Sequence, residues 1–264
     1  MKPAKKAVLR FDPDIALSSY IKDPDLMPKT GIGGVINALA LVSLLLTGGL
    51  LAPVSLALMG LTNGYILRHM RFRVSKQDSP LPDWDEWLDL FVSGITWLAV
   101  QFGYALLIIS VATTSYMICD AINKKNPEAL IGVAIGSVFM FMLTSAITHF
   151  FTSYLMVNFA VEEKLSAGFA VRKVFEVASA APQSFFFAWL LSIGIQFLSV
   201  LVPTLTIIGI FIAPNTYFAA QIMSANLLTQ AWALGLKNME DEADKQAKED
   251  KKAKKLERKA KHKG

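Results

Sequence analysis

The sequence predicts an all-α fold: a polytopic membrane helical bundle of six spans, arranged as three hairpins with interfacial amphipathic helices. Three observations predict it. Residues 32–67, 130–161 and 177–236 contain no Lys, Arg, Asp or Glu, whereas a bilayer core asks for roughly 20 apolar residues per helix. The 264 residues are 53% hydrophobic and 18% charged, with a mean hydropathy of +0.44, values suited to a multi-pass membrane protein. The basic residues gather between and beyond the apolar blocks rather than within them.

Block 32–67 is short for two spans. Its middle reads LTGGLLAP, and Gly48, Gly49 and Pro53 interrupt a helix and favour a tight turn. The reading is a hairpin of about 32–48 and 52–69; one tilted span plus an interfacial piece is the alternative. The third span runs from Val92 to Ile118, and the polar connector DAINKKNPE follows. The fourth begins at Leu130, the fifth at Ser184 after Pro182, and the chain turns near Pro203 into a sixth that continues towards Trp232. Pro214 beside Asn215 predicts a break in that last span. Three regions result: an N-terminal cytoplasmic segment, 1–31; the membrane domain, 32–236; and a Lys-rich cytoplasmic tail, 237–264.

Charge sets the orientation. With six spans, 24 of the 26 Lys and Arg fall on one face, and only Lys124 and Lys125 on the other. The positive-inside rule then puts both termini in the cytoplasm and the protein in the cell (cytoplasmic) membrane. The basic N-terminus lacks the pattern of a cleaved signal peptide, so the first span is expected to direct insertion. The lone Cys119 excludes an internal disulfide.

Segments between the spans carry helical periodicity. Trp84, Trp87, Leu88 and Phe91 fall at i, i+3, i+4 and i+7, as do Val171, Val174, Phe175 and Ala178. Each set makes one apolar face, as expected of a helix lying in the headgroup plane. Asp83 as N-cap and Glu86 three residues later would start the first of these as a capping box. The stretch DIALSSYIKDPDLMPKT reads as a weaker third copy, broken by Pro24 and Pro28.

At GYILRHMRF and LPDWDEWLDLFVSG the chain resembles the prokaryotic multi-pass membrane proteins catalogued as domain of unknown function 4013. The residues that carry the resemblance are Gly64, Tyr65, Arg68, Arg71, Leu81, Pro82, Trp84, Asp85 and Trp87, with Gly94 before the next span. It covers roughly residues 20–235 and implies an integral membrane protein with surface helices; no established activity comes with it.

Several residues are candidates for function. Trp84 and Trp87 suit aromatic anchoring at the interface. Arg68 and Arg71 are expected to face the phosphates of anionic lipid headgroups. Asp85 or Asp89 could instead pair with Arg68, Arg71 or Arg73, or, with Glu86, hold a hard cation. His149 falls near the cytoplasmic interface, where packing or solvation explains it better than proton transfer. Gln196, Asn215, Gln221, Asn226 and Gln230 are intramembrane amides suited to interhelical hydrogen bonds. HExxH, a P-loop and paired Cys ligands are absent, and GIGG at 31–34 precedes a span rather than a phosphate-binding helix. No catalytic residue, cofactor or metal is therefore expected. The partners expected are anionic lipids and a possible membrane protein; a basic tail without aromatics is poor support for nucleic acid.

The leading reading is a non-enzymatic protein that organises lipid or a membrane partner. The alternative is a small-solute or lipid transporter. A transporter should enclose a polar cavity lined by Gln196, Asn215 and Gln221; a lipid organiser should present basic grooves at the cytoplasmic rim.

Overall fold

The computed structural model describes residues 11–76, 80–125, 130–206 and 209–261. Lys2, Lys5, Lys6 and Arg10, the end of the polar connector at 126–129, and residues 262–264 lie outside the described residues, as do the tail side chains from 252 onward. The described residues are mostly helical, and no strand occurs among them.

The first helix, α1 (Pro13–Ile21), starts where the Asp12 carboxylate accepts from the amides of Asp14 and Ile15, at 3.0 and 3.3 Å, with Pro13 in its first turn. Pro24 separates it from α2 (Leu26–Leu46). Pro28 does not break the chain as expected. It occupies the first turn of α2, where an amide has no intrahelical partner to lose. The first long helix therefore begins at Leu26, six residues earlier than the charge pattern suggests, and takes Lys29 with it.

Gly48 and Gly49 adopt φ of +56° and +91°, a conformation glycine reaches without strain. They turn the chain into α3 (Ala52–Ser75). The Ser55 hydroxyl donates to the Ala40 carbonyl at 2.8 Å and closes the hairpin. A second hairpin pairs α4 (Trp87–Lys125) with α5 (Leu130–Glu162). Glu163 ends α5 in the left-handed region, its amide capping the Phe159 carbonyl. A 3-10 turn (Leu165–Phe169) and α6 (Val171–Ala180) lead to the third hairpin, α7 (Pro182–Thr204) and α8 (Gly209–Lys261).

Prolines are absorbed near helix ends. Pro203, in the last turn of α7, has no N–H for the Ser199 carbonyl, and the Thr216 hydroxyl of α8 donates to that carbonyl instead, at 2.7 Å. Pro214 does not break α8. Near the start of the helix it deprives only one carbonyl of its partner. α8 also runs through the 236/237 boundary without interruption, and Asn238 bonds the Ala180 carbonyl of α6 at 2.8 Å.

Among the described residues, four helices are long and apolar enough to cross a membrane: Leu26–Leu46, Trp87–Ile122, Ile131–Glu162 and Pro182–Thr204. Large apolar side chains such as Tyr116, Ile131 and Phe139 stand exposed along them. The other two long helices, α3 and the first half of α8, are more polar because they lie inside. Thr62, Tyr65, Arg68 and His69 of α3, and Ser224, Asn226 and Gln230 of α8, are buried against protein. His69 Nε2 and Asn226 Oδ1 meet at 2.8 Å between them. Tyr65, Trp97, Tyr154, Phe185, Phe218 and Trp232 are the largest aromatic side chains of the buried core.

One contact brings two backbones together. Gly60 and Gly64 lie one turn apart on α3, and Gly94 faces them from α4. A Cβ at Gly94 would overlap the Gly60 carbonyl, and one at Gly64 would overlap the Leu90 carbonyl. This is a small-xxx-small crossing, in which missing side chains let helices touch along their main chains. Gly94→Ala should therefore lower the thermal transition of the detergent-solubilised protein, losing about 1–3 kcal/mol as overpacking does. Gly136→Ala on α5, where a Cβ meets open space, should leave the transition unchanged or slightly raised; equal effects would contradict this packing.

Candidate functional site

The sequence-predicted residues separate into two places. The first is a clasp at the end of the bundle where α3 meets the segment before α4. The expected helix from Pro82 is not there. Residues 80–86 form a non-helical strap, Glu86 has φ +46°, and α4 starts at Trp87. Asp83 therefore starts no helix; its carboxylate pairs with Lys29 Nζ at 3.2 Å. Tyr65 donates its hydroxyl to the Pro82 carbonyl at 2.8 Å, and Lys29 Nζ donates to the Leu81 carbonyl at 2.8 Å. The Leu81 amide bonds the buried Asp23 carboxylate at 2.7 Å. Trp84 stacks on Tyr65 with ring centroids 4.2 Å apart, and its Nε1 donates to the Lys29 carbonyl at 2.8 Å. Trp87, half exposed, stacks on Trp84 at 5.5 Å.

Arg68 closes the clasp. Its guanidinium is almost fully buried and bonds Asp85, with Glu86 at 3.0 Å and Asp89 at 3.2 Å. Arg71 bonds the Ala160 carbonyl at 3.1 Å and Glu163 at 2.6 Å. The Arg68 guanidinium is turned to carboxylates of the chain rather than outward, and Arg71 Nε meets Glu163 while its side chain stays partly exposed. The cation reading also lapses, since Asp85, Glu86 and Asp89 share Arg68, and no metal-holding cluster occurs among the described residues. The groove beside them, about 370 Å³, is lined by four carboxylates and two arginines, so it is acidic rather than basic.

Near the second expected surface helix, α6 is a separate helix. Its buried residues are Val174 and Val177, while Phe175 and Val171 are exposed, so the buried face is turned from the one expected. Arg172 pairs with Glu176 along the helix, and Lys173 with Glu162 of α5.

The second place is a cavity of about 190 Å³ between α3, α4, α5, α7 and α8. Polar groups reach it from each helix: Asn63; Gln101 and the indole of Trp97; His149, Thr152 and Ser153; Gln196; and Tyr217, Gln221 and Ser224. No Asp, Glu, Lys or Arg lines it among the described residues. Most of these groups have partners. Gln196 Nε2 donates to Ser224 Oγ at 3.0 Å, and Trp189 Nε1 donates to His149 Nδ1 at 2.9 Å. Two do not. The Trp97 N–H and the Gln221 Oε1 are buried without a hydrogen-bond partner. His149 and Gln196 also line an apolar groove on the outer side of α7, so they stand between the cavity and the lipid-facing surface.

Of the intramembrane residues singled out, the structure thus brings His149, Gln196 and Gln221 to one cavity. Asn215 is elsewhere, packed against Gly34 of α2. Asn226 donates to the Ala16 carbonyl at 3.0 Å, and Gln230 accepts from the Asp12 amide at 3.0 Å, both docking α1 on α8. Sequence reasoning missed Asn63, Trp97, Gln101, Thr152, Ser153 and Tyr217. A signal existed: Tyr217, Gln221 and Ser224 fall at i, i+4 and i+7 on one helix face, and Trp97 and Gln101 at i, i+4.

The family model described as Protein of unknown function (DUF4013) matches residues 48–212. The chain belongs to that family. The match is shorter than the expected 20–235 but spans α3, the strap, α4, α5 and α7, leaving Asp23 and Lys29 of the clasp outside it. No curated protein and no solved structure matches. Within the DUF4013 motif, Gly64 and Gly94 serve the helix crossing, and Tyr65, Pro82, Trp84, Arg68 and Asp85 hold the strap. Tyr65→Phe should therefore destabilise by about 1 kcal/mol, as one hydrogen bond is worth, and Arg68→Gln by more, read as loss of thermal stability in detergent. A neutral Arg68→Gln would mean that the strap is held without its ion pairs.

Proposed function

We propose that this membrane protein takes small, uncharged polar solutes into the centre of its helix bundle and passes them across the bilayer. One observation carries the reading: polar side chains from five helices converge on a part-open space where, among the described residues, no formal charge is present. Buried polar groups are costly in a bundle unless partnered, and interhelical hydrogen bonding alone would leave them paired. The groove at the rim supports it from the other direction, because an acidic lining repels anionic headgroups and weakens the lipid-organising alternative.

In this reading all six long helices cross the bilayer. α3 and α8 tolerate their polar residues because the outer helices shelter them from lipid, and both termini face the cytoplasm with most basic residues.

Purified protein in proteoliposomes should raise permeability to urea, acetamide or glycerol above that of empty vesicles in stopped-flow light scattering, and leave sucrose and K⁺ unaffected. Permeabilities equal to the empty vesicles for all three solutes would overturn the proposal. For topology, Ala121→Cys and Ala243→Cys, each made in a Cys119→Ser background, separate the two faces. An impermeant maleimide should label residue 121 in intact cells and residue 243 only after permeabilisation. Labelling of both from the same side would refute six crossings.

A further inference from the structure

A second space adjoins the polar cavity. It is a groove of about 420 Å³ between α2, α3, α7 and α8, and Tyr217 lines both. Three helices pass from one space to the other on a single face. On α3, Asn63 lines the cavity, and Met59 and Ser55, one and two turns away, line the groove. On α7, Gln196 lines the cavity, and Val200 and Thr204 follow it in the groove at i+4 and i+8. On α8, Gln221 lines the cavity, and Tyr217, Pro214 and Ile210 lead away from it. Residues three or four apart share a helix face. Cavity and groove are therefore successive stretches of one slot, running towards the turns of the first and third hairpins.

Polarity changes along the slot in the same direction on all three helices. Asn63, Gln196 and Gln221 stand at the cavity end; Met59, Val200 and Pro214 stand in the groove. Two hydroxyls of the groove are already used. Ser55 donates to the Ala40 carbonyl at 2.8 Å, and Thr204 to the carbonyls of Val200 and Leu201, each at 2.9 Å. The accessible lining is almost wholly apolar, and such a space holds water poorly. Met59, Val200 and Ile210 are exposed, so the groove opens sideways onto the apolar surface of the bundle. Neither stretch has an Asp, Glu, Lys or Arg among its described lining residues. An ionised head would lose its hydration there without a counter-charge.

We infer, on the reading of the cavity as a solute site, that the slot binds a single-chain amphiphile with an uncharged polar head. The head lies in the cavity beside Gln196, and the hydrocarbon chain lies in the groove along Met59, Val200 and Pro214. Between Gln221 and Ile210 the slot runs about 16 Å, at about 1.5 Å per helical residue. An extended chain covers that in roughly 13 bonds of about 1.2 Å each, the length of a glycerol ester of a ten-carbon acid.

Photolabelling of the full chain in nanodiscs tests this, with monodecanoylglycerol carrying a diazirine on its chain and peptide mapping of the product. Label should fall on α3, α7 and α8 at the groove residues, and excess unlabelled monodecanoylglycerol should lower it about fivefold or more. Decanoate and decyltrimethylammonium, whose heads are charged, should not compete. Ala213→Phe, which fills the groove, should lower the saturable labelling by about fivefold. Gln196→Leu should remove the preference for monodecanoylglycerol over a diazirine alkane of equal length, whereas mere loosening of the bundle would lower both alike. Each variant is compared at equal thermal stability in detergent; should either unfold, the competitors and the headless alkane decide alone on the unmodified protein. Equal labelling by ester and alkane there would mean that the groove takes any hydrocarbon chain, and would overturn the assignment. Competition by either ion, or label spread along the exposed faces of α4 and α5, would do the same. Saturable labelling without flux of urea, acetamide or glycerol would sink small-solute transport and keep this site; flux without saturable labelling would keep the solute path and sink the amphiphile.

Discussion

The architecture turns on the place where α3 and α4 touch with nothing but main chain between them. Side chains normally hold helix axes 8–10 Å apart. Here Gly60, Gly64 and Gly94 remove that spacing. In lipid, helices gain little from burying apolar surface, since acyl chains are as apolar as leucine. What binds them is dispersion between closely fitted surfaces and hydrogen bonds that have no water to compete. The glycine crossing supplies the first. It also brings the start of α4 beside α3, where Arg68 can reach three carboxylates and Tyr65 can reach the strap.

Two kinds of polar residue follow from that crossing, with opposite fates. At the clasp most of the singled-out groups are consumed by the fold. Lys29, Arg68, Tyr65 and Trp84 each bond backbone or carboxylate within the chain, so a motif that looks like a binding surface is a fastening. Deeper in the bundle, the helices enclose more polar atoms than they pair. The contrast separates structural from functional polarity more sharply than residue type does. An arginine beside acids is satisfied; the indole N–H of Trp97, buried between helices, is not.

The buried position of α3 and of the first half of α8 also accounts for their polarity. α3 carries Asn63, Arg68, His69, Arg71 and Arg73, and α8 carries four amides before its charged extension. Hydropathy reports what a helix would do alone in lipid. These two are surrounded by α2, α4, α5 and α7, whose outward faces bear the exposed leucines, isoleucines and phenylalanines. Their polarity is a consequence of rank within the bundle.

Much of the fold was legible from local chemistry. Charge-free blocks marked the long helices, Gly48, Gly49 and Pro53 marked the first hairpin turn, and the periodicity around Val174 marked α6, because each depends on residues near one another in the chain. The strap, the arginine pairing and the cavity were not legible in the same way. Trp84 and Glu86 fit a helical pattern, yet Tyr65, Lys29 and Asp23, distant in sequence, compete for that backbone and hold it out of a helix. His149, Gln196 and Gln221 could be named singly, but only packing showed that they face one space while Asn215 does not. Sequence alone determined that this chain forms long apolar helices with basic connections, since hydration of each segment is a local property. Tertiary structure decided which polar atoms end with a partner, since that depends on what a neighbouring helix brings within about 3 Å.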